Sequence, residues 1–117
     1  MSTETIVLLS STSAEAVGTE FSYGAKQKGA GYNKHNDGVH TAVFSFDNFV
    51  GTVKIQGTLE LYPTETDWFD ISGTTITVED SSALINSESR TFIGQFVWIR
   101  AAYSIENGVI TEIRYNY

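Results

Sequence analysis

Apolar and polar residues alternate with a period of two along most of the chain. In residues 52–61 (TVKIQGTLEL), Val53, Ile55, Leu59 and Leu61 share one side of an extended backbone with Gly57, while Thr52, Lys54, Gln56, Thr58 and Glu60 share the other. That pattern predicts a half-buried strand, closed by the chain's single proline at position 63. Residues 39–47 (VHTAVFSFD) and 74–79 (TTITVE) are rich in β-branched and aromatic side chains and read as further strands. Residues 92–105 carry Phe96 and Trp98 on one side and Val97, Ile99 and Tyr103 on the other, as a central strand covered on both faces would, with Trp98 in the core.

Asn107-Gly108 stands between that run and residues 109–117 (VITEIRYNY). This dipeptide between two alternating runs is the strongest short-range hairpin signal, so a C-terminal hairpin is expected, with the last residues inside the sheet. Shorter candidates at 5–9, 20–23 and 68–71 bring the number of strands to about eight. Residues 81–89 (SSALINSES) read as a loop with room for a helical turn. The expectation is an all-β chain folded as a single β-sandwich, jelly-roll or immunoglobulin-like.

One stretch breaks the alternation. Residues 24–38 (GAKQKGAGYNKHNDG) are glycine-rich and read as a long surface loop, holding Lys26, Lys28 and Lys34 against the single acid Asp37. The loop carries +2 in a chain of net charge −7, so the charge is two-sided. Loops of this length in compact domains are usually either functional or disordered, so the stretch reads either as a flexible, solvated insertion or as an arm that orders on a neighbouring acidic surface such as a second copy of the chain. It matches no phosphate-binding glycine pattern.

Composition sharpens the picture. The 117 residues fit one domain, 41% are hydrophobic and 13% aromatic, and 18% are charged, which suits a packed core. The absence of cysteine rules out disulfides and thiolate metal sites. The acidic balance disfavours nucleic acid, and the N-terminal residues lack a basic, long-apolar signal segment, so a soluble protein made in the cytoplasm is expected, with no membrane partner.

Candidate chemistry is sparse. His35 and His40 are spaced as in no zinc motif, and neither has an identifiable orienting acid for a serine nucleophile. Asp67 and Asp70, with Asp47 and the pair Glu79-Asp80, are the best carboxylates for glycosidase-type chemistry, but Asp67 suits turn hydrogen bonding and Asp70 the opposite side of a short strand from Phe69 and Ile71. Asp67 or Asp80 with loop carbonyls could hold calcium, although no EF-hand-like run is present. No catalytic residue, metal ligand or cofactor is assigned. Tyr62 and Trp68, with Tyr32, are candidates for a sugar-stacking platform.

The stretch GTVKIQGTLELYPTETDWFDI (51–71), followed by FIGQFVWIRAAYSIENGVITEIRYNY (92–117), resembles small virion structural proteins of tailed bacteriophages, particularly T4-like marine and cyanobacterial phages. There a strand of the form I.GTLE..P....DWF.I precedes F.G.FVWIRA and a closing G.I..I.Y hairpin. The resemblance covers about residues 39–117 and leaves the first 38 unmatched. It implies a non-enzymatic β-sandwich of the virion, either capsid decoration or a tail, baseplate or fibre component, whose partners are its own copies and other virion proteins. On that reading Lys26, Lys28, Tyr32, Lys34, His35, Tyr115 and Tyr117 are the assembly-interface candidates. The competing expectation is a carbohydrate-binding module recognising a cell-surface glycan through Tyr62 and Trp68.

Overall fold

A computed structural model describes residues 6–13, 21–29, 39–79 and 86–116. Among them nine strands form one antiparallel sheet: β1 (Ile6–Leu9), β2 (Thr12–Ser13), β3 (Ser22–Tyr23), β4 (Gln27–Lys28), β5 (Val39–Thr58), β6 (Phe69–Asp70), β7 (Ile76–Val78), β8 (Ser87–Ile93) and β9 (Trp98–Asn116). The expected all-β, sandwich-like architecture is what the chain adopts. Its axis is the pairing of β5 with β9 from Thr41↔Asn116 to Thr58↔Trp98. β1 to β4 flank β9, and β6, β7 and β8 flank β5.

Twenty extended residues would span roughly 66 Å, yet the longest dimension of the molecule is 41 Å. β5 and β9 therefore fold over together. The bend lies where their register slips, between Ser45 and Gly51 on β5. Asn48 (φ 53°), Gly51 (φ 150°) and Gly108 (φ 77°) supply the unusual backbone there. The two halves of the sheet then close on one core, in which Phe44, Phe46, Ile110, Ile113 and Tyr115 of one half meet Val53, Ile55, Ile76, Phe96 and Ile99 of the other.

This bend corrects the C-terminal hairpin. Asn107-Gly108 is no turn, because β9 runs through it and both flanking runs pair with β5 rather than with each other. The left-handed glycine serves a bulge instead. For the same reason the segments read as 39–47 and 52–61 are one strand.

Two further boundaries move. β5 ends at Thr58, whose hydroxyl accepts the Glu60 amide at 3.2 Å and turns the chain before Pro63 is reached. Leu59 and Leu61 are thereby exposed rather than core-facing. The run read as 92–105 splits, β8 ending at Ile93 and β9 beginning at Trp98, and Ser87–Ser89, read as loop, belong to β8. In the glycine- and lysine-rich stretch, Gly24 and Gly29 donate backbone hydrogen bonds to Ala101 and Val97, and Gln27–Lys28 pair with β9. Residues 24–29 are thus a sheet edge, and residues 30–38 lie outside the described residues.

Candidate functional site

Because β5 doubles back, its two ends meet at the end of the sandwich opposite the bend, and Phe96 plugs the gap between them. Its ring sits 5.6 Å from that of His40 near the start of β5 and packs on Gly57 near the end, where a Cβ would come within 2.9 Å of it. The ring of Phe69 lies 5.8 Å away and that of Phe92 6.2 Å away. His40 is wholly buried here, stacked on Phe92 at 4.8 Å. Since a carbonyl can only accept, its Nε2 is the protonated nitrogen and donates to the Gly94 carbonyl at 2.8 Å. That is a structural role for His40.

The segments that adjoin this plug form its rim, and they expose large apolar side chains. Tyr62 is 87% exposed, Ile93 74%, Leu59 63%, Leu61 49% and Phe69 41%. The projecting 59–62 segment is anchored by Trp98, whose Nε1 donates to the Leu61 carbonyl at 2.8 Å. Trp98 is therefore half-buried on the outer face, not in the core as its two-sided strand suggested, and Lys26 caps its ring with Nζ 4.9 Å from the centroid.

Behind the rim, the outer face of the same half-sheet holds a second cluster. The Arg100 guanidinium lies between the rings of Tyr23 (3.9 Å) and Trp68 (4.3 Å). Its Nε donates to Gln56 Oε1 at 2.9 Å and its Nη2 to Glu65 Oε2 at 3.2 Å. With its side chain only 8% exposed, Arg100 ties the 3₁₀ turn at Glu65–Asp67 to the sheet. Arg100→Lys, which keeps the charge but loses the planar stacking and fork, is expected to cost about 2 kcal/mol in urea unfolding. A change below about 0.5 kcal/mol would contradict this role.

The acidic candidates separate into distinct tasks. Asp67 Oδ2 accepts the Thr64 amide at 2.7 Å and its hydroxyl at 3.1 Å, closing the turn as the sequence suggested. Asp70 accepts from Gln56 Nε2 and Lys54 Nζ, both at 2.9 Å, and these two donors, Gln56 foremost, hold its carboxyl below the usual aspartate range. Asp80 lies outside the described residues; Asp47 and Glu79 are exposed on the surface.

Of the interface candidates, Lys26 and Lys28 lie exposed on the edge beside β9, whereas Tyr32, Lys34, His35 and Tyr117 fall outside the described residues. Tyr115 is corrected: it is 1% exposed, points into the core, and its hydroxyl donates to the Lys28 carbonyl of the opposite half-sheet. Alternation along β9 turns Arg114 and Asn116 outward and Tyr115 inward. Of the platform candidates among the described residues, Tyr62 is open to solvent, but one face of Trp68 is occupied by Arg100.

The alternation pattern does not mark Leu59, Leu61 and Ile93 as surface residues, or Arg100 as an organising group. The signal for Arg100 was available, since a charged residue inside a strand covered on both faces requires a partner. Among the described residues no helix is long and apolar enough to cross a membrane, and no group of three or more His, Asp or Glu side chains converges as metal ligands would. Comparison of the chain with models of protein families, with curated proteins and with solved structures finds no match.

Proposed function

We propose that the chain is a non-enzymatic structural protein of a tailed-phage virion, a capsid decoration or a tail, baseplate or fibre component, that docks onto neighbouring virion proteins through the rim at the open end of its sandwich. The observation that carries this reading is that Leu59, Leu61, Tyr62, Phe69 and Ile93 all stand exposed in the segments that adjoin the Phe96 plug of a small acidic protein. Grouped exposed apolar side chains are the physical mark of an interaction surface, and a large aromatic among them is a typical anchor. The resemblance of residues 39–117 to small virion proteins supplies the class of partner. Repetition on a particle would turn a modest rim into firm attachment, because each docked copy gains from many weak contacts. The protein would be made in the host cytoplasm and end in the virion. The employment of Asp67, Asp70 and Glu65 in holding the 63–70 segment fits a scaffold rather than an active site.

Exposed Tyr62 keeps a second reading in view, a glycan-binding module with that ring as platform. One experiment separates the two. Leu59→Ser, Tyr62→Ser and Ile93→Ser, combined, are expected to weaken binding to phage particles by at least about tenfold while leaving the circular dichroism spectrum unchanged. Particle binding that survives all three substitutions contradicts the rim. Glycan-array binding abolished by Tyr62→Ala alone would favour the carbohydrate module.

A further inference from the structure

The edges of a sheet decide what it can add. Most outer strands here are blunted by shortness: β1 has four residues, β7 three, and β2, β3, β4 and β6 two each. β8 is the exception. Its seven residues, SESRTFI, pair with β5 from Val39↔Ile93 to Ser45↔Ser87, and among the described residues β8 pairs with no other strand.

β8 also carries charges of opposite sign two residues apart. Glu88 and Arg90 stand opposite buried Phe44 and Ala42, on the inner side of the strand, and are joined at 2.6 Å. An inward charge on an edge strand ordinarily blocks pairing, because an added strand would bury it alone. Here a second copy of the same strand brings the opposite charge.

We propose that the β8 edges of two copies pair antiparallel about a two-fold axis at Ser89, joining two sandwiches in one continuous sheet. In that register Glu88 of each copy stands opposite Arg90 of the other, Ser87 opposite Thr91, and the two Ser89 side chains face each other across the axis. Neighbouring registers are disfavoured. An axis at Glu88 sets the two glutamates opposite each other, an axis at Arg90 sets the two arginines so, and like charges directly opposite are destabilising. A slip by one residue would turn the core side of one copy to the solvent side of the other. The contact is isologous, so it closes as a dimer and leaves the apolar rim of each copy to other partners. It deepens the assembly reading by naming one partner, a second copy, and rests on that reading for its biological purpose only.

The test uses the purified full chain without particles, so that its failure and the failure of rim docking are distinguishable. In this register the paired stretch is Ser87–Thr91, five residues and a small interface, and sedimentation at on the order of 100 μM is expected to show a species of about twice 12.9 kDa. Glu88→Arg should give a monomer with an unchanged circular dichroism spectrum, and adding Arg90→Glu should restore the dimer. Because the chain has no cysteine, S89C offers a single thiol per copy. Under mild oxidation it should cross-link at least about tenfold faster than S72C, placed on an exposed turn away from β8. A wild-type chain that stays monomeric, a dimer indifferent to Glu88→Arg, or S89C cross-linking no faster than S72C would each overturn the proposal.

Discussion

Replacing Gly108 with alanine is expected to lower stability by about 3 kcal/mol, equivalent to roughly 10 °C in Tm for a domain of this size. The cause is the fold-over of the two long strands. Gly108 has a φ of 77°, and a Cβ there would collide with the backbone carbonyls of Asn48 and Asp47 on β5. The neighbouring residue gives the discriminating control. In a two-residue hairpin turn both Asn107 and Gly108 would need positive φ, so alanine at either position would be costly. In the bulge the only described non-glycine residue with positive φ is Asn48. Asn107→Ala should therefore shift the unfolding midpoint little, while Asn48→Val should cost about 1–2 kcal/mol. Equal sensitivity at 107 and 108, with indifference at 48, would restore the hairpin and remove the fold-over. Chemical denaturation of the three variants decides it.

Phe96→Ala is expected to have the largest effect among core substitutions, about 3–5 kcal/mol. Phe96 is 8% exposed and belongs to neither β8 nor β9, yet it closes the end where both termini of β5 meet. It fits against Gly57 and Gly94, positions at which a Cβ would overlap its ring, and against the rings of His40, Phe69 and Phe92. Removing the ring leaves a hole that the glycines have no side chains to fill. The rim depends on the same plug, because Phe69 stands beside it and the Val97 amide holds the Thr58 carbonyl at 2.8 Å. Loss of stability with an unchanged denaturant slope is the expected signature. A cost under about 1 kcal/mol would mean that the open end is not closed by Phe96.

The same residues explain what could be read from the sequence. Alternation at 39–46 and 52–57 was legible because one side of β5 is buried and the other is not, so each residue's face shows in its polarity. What failed was punctuation. Asn107-Gly108 carries the same left-handed preference in a bulge as in a turn, and the difference is set by β5, sixty residues away in sequence. Leu59 and Leu61 continue the apolar period past Thr58, but the Thr58 hydroxyl bends the chain first and leaves them outside. Gln27–Lys28 and Ser87–Ser89 have no apolar alternation to betray them, since edge strands draw their order from backbone pairing. Of the proposed docking surface, the exposed aromatic Tyr62 could be named in advance, whereas Ile93 became a rim residue only once the ends of β5 were brought together.

Among its described residues the chain has one closed core, one long edge and an apolar rim, and we propose the last two as surfaces for attachment. On this proposal the protein is a particle component held by its rim. Cryo-electron microscopy of tailed-phage virions carrying the chain tests it most directly. Ordered copies are expected in symmetric positions with Leu59, Tyr62 and Ile93 buried against a neighbouring virion protein; virions in which the chain is absent, or present with that rim facing solvent, would overturn the proposal.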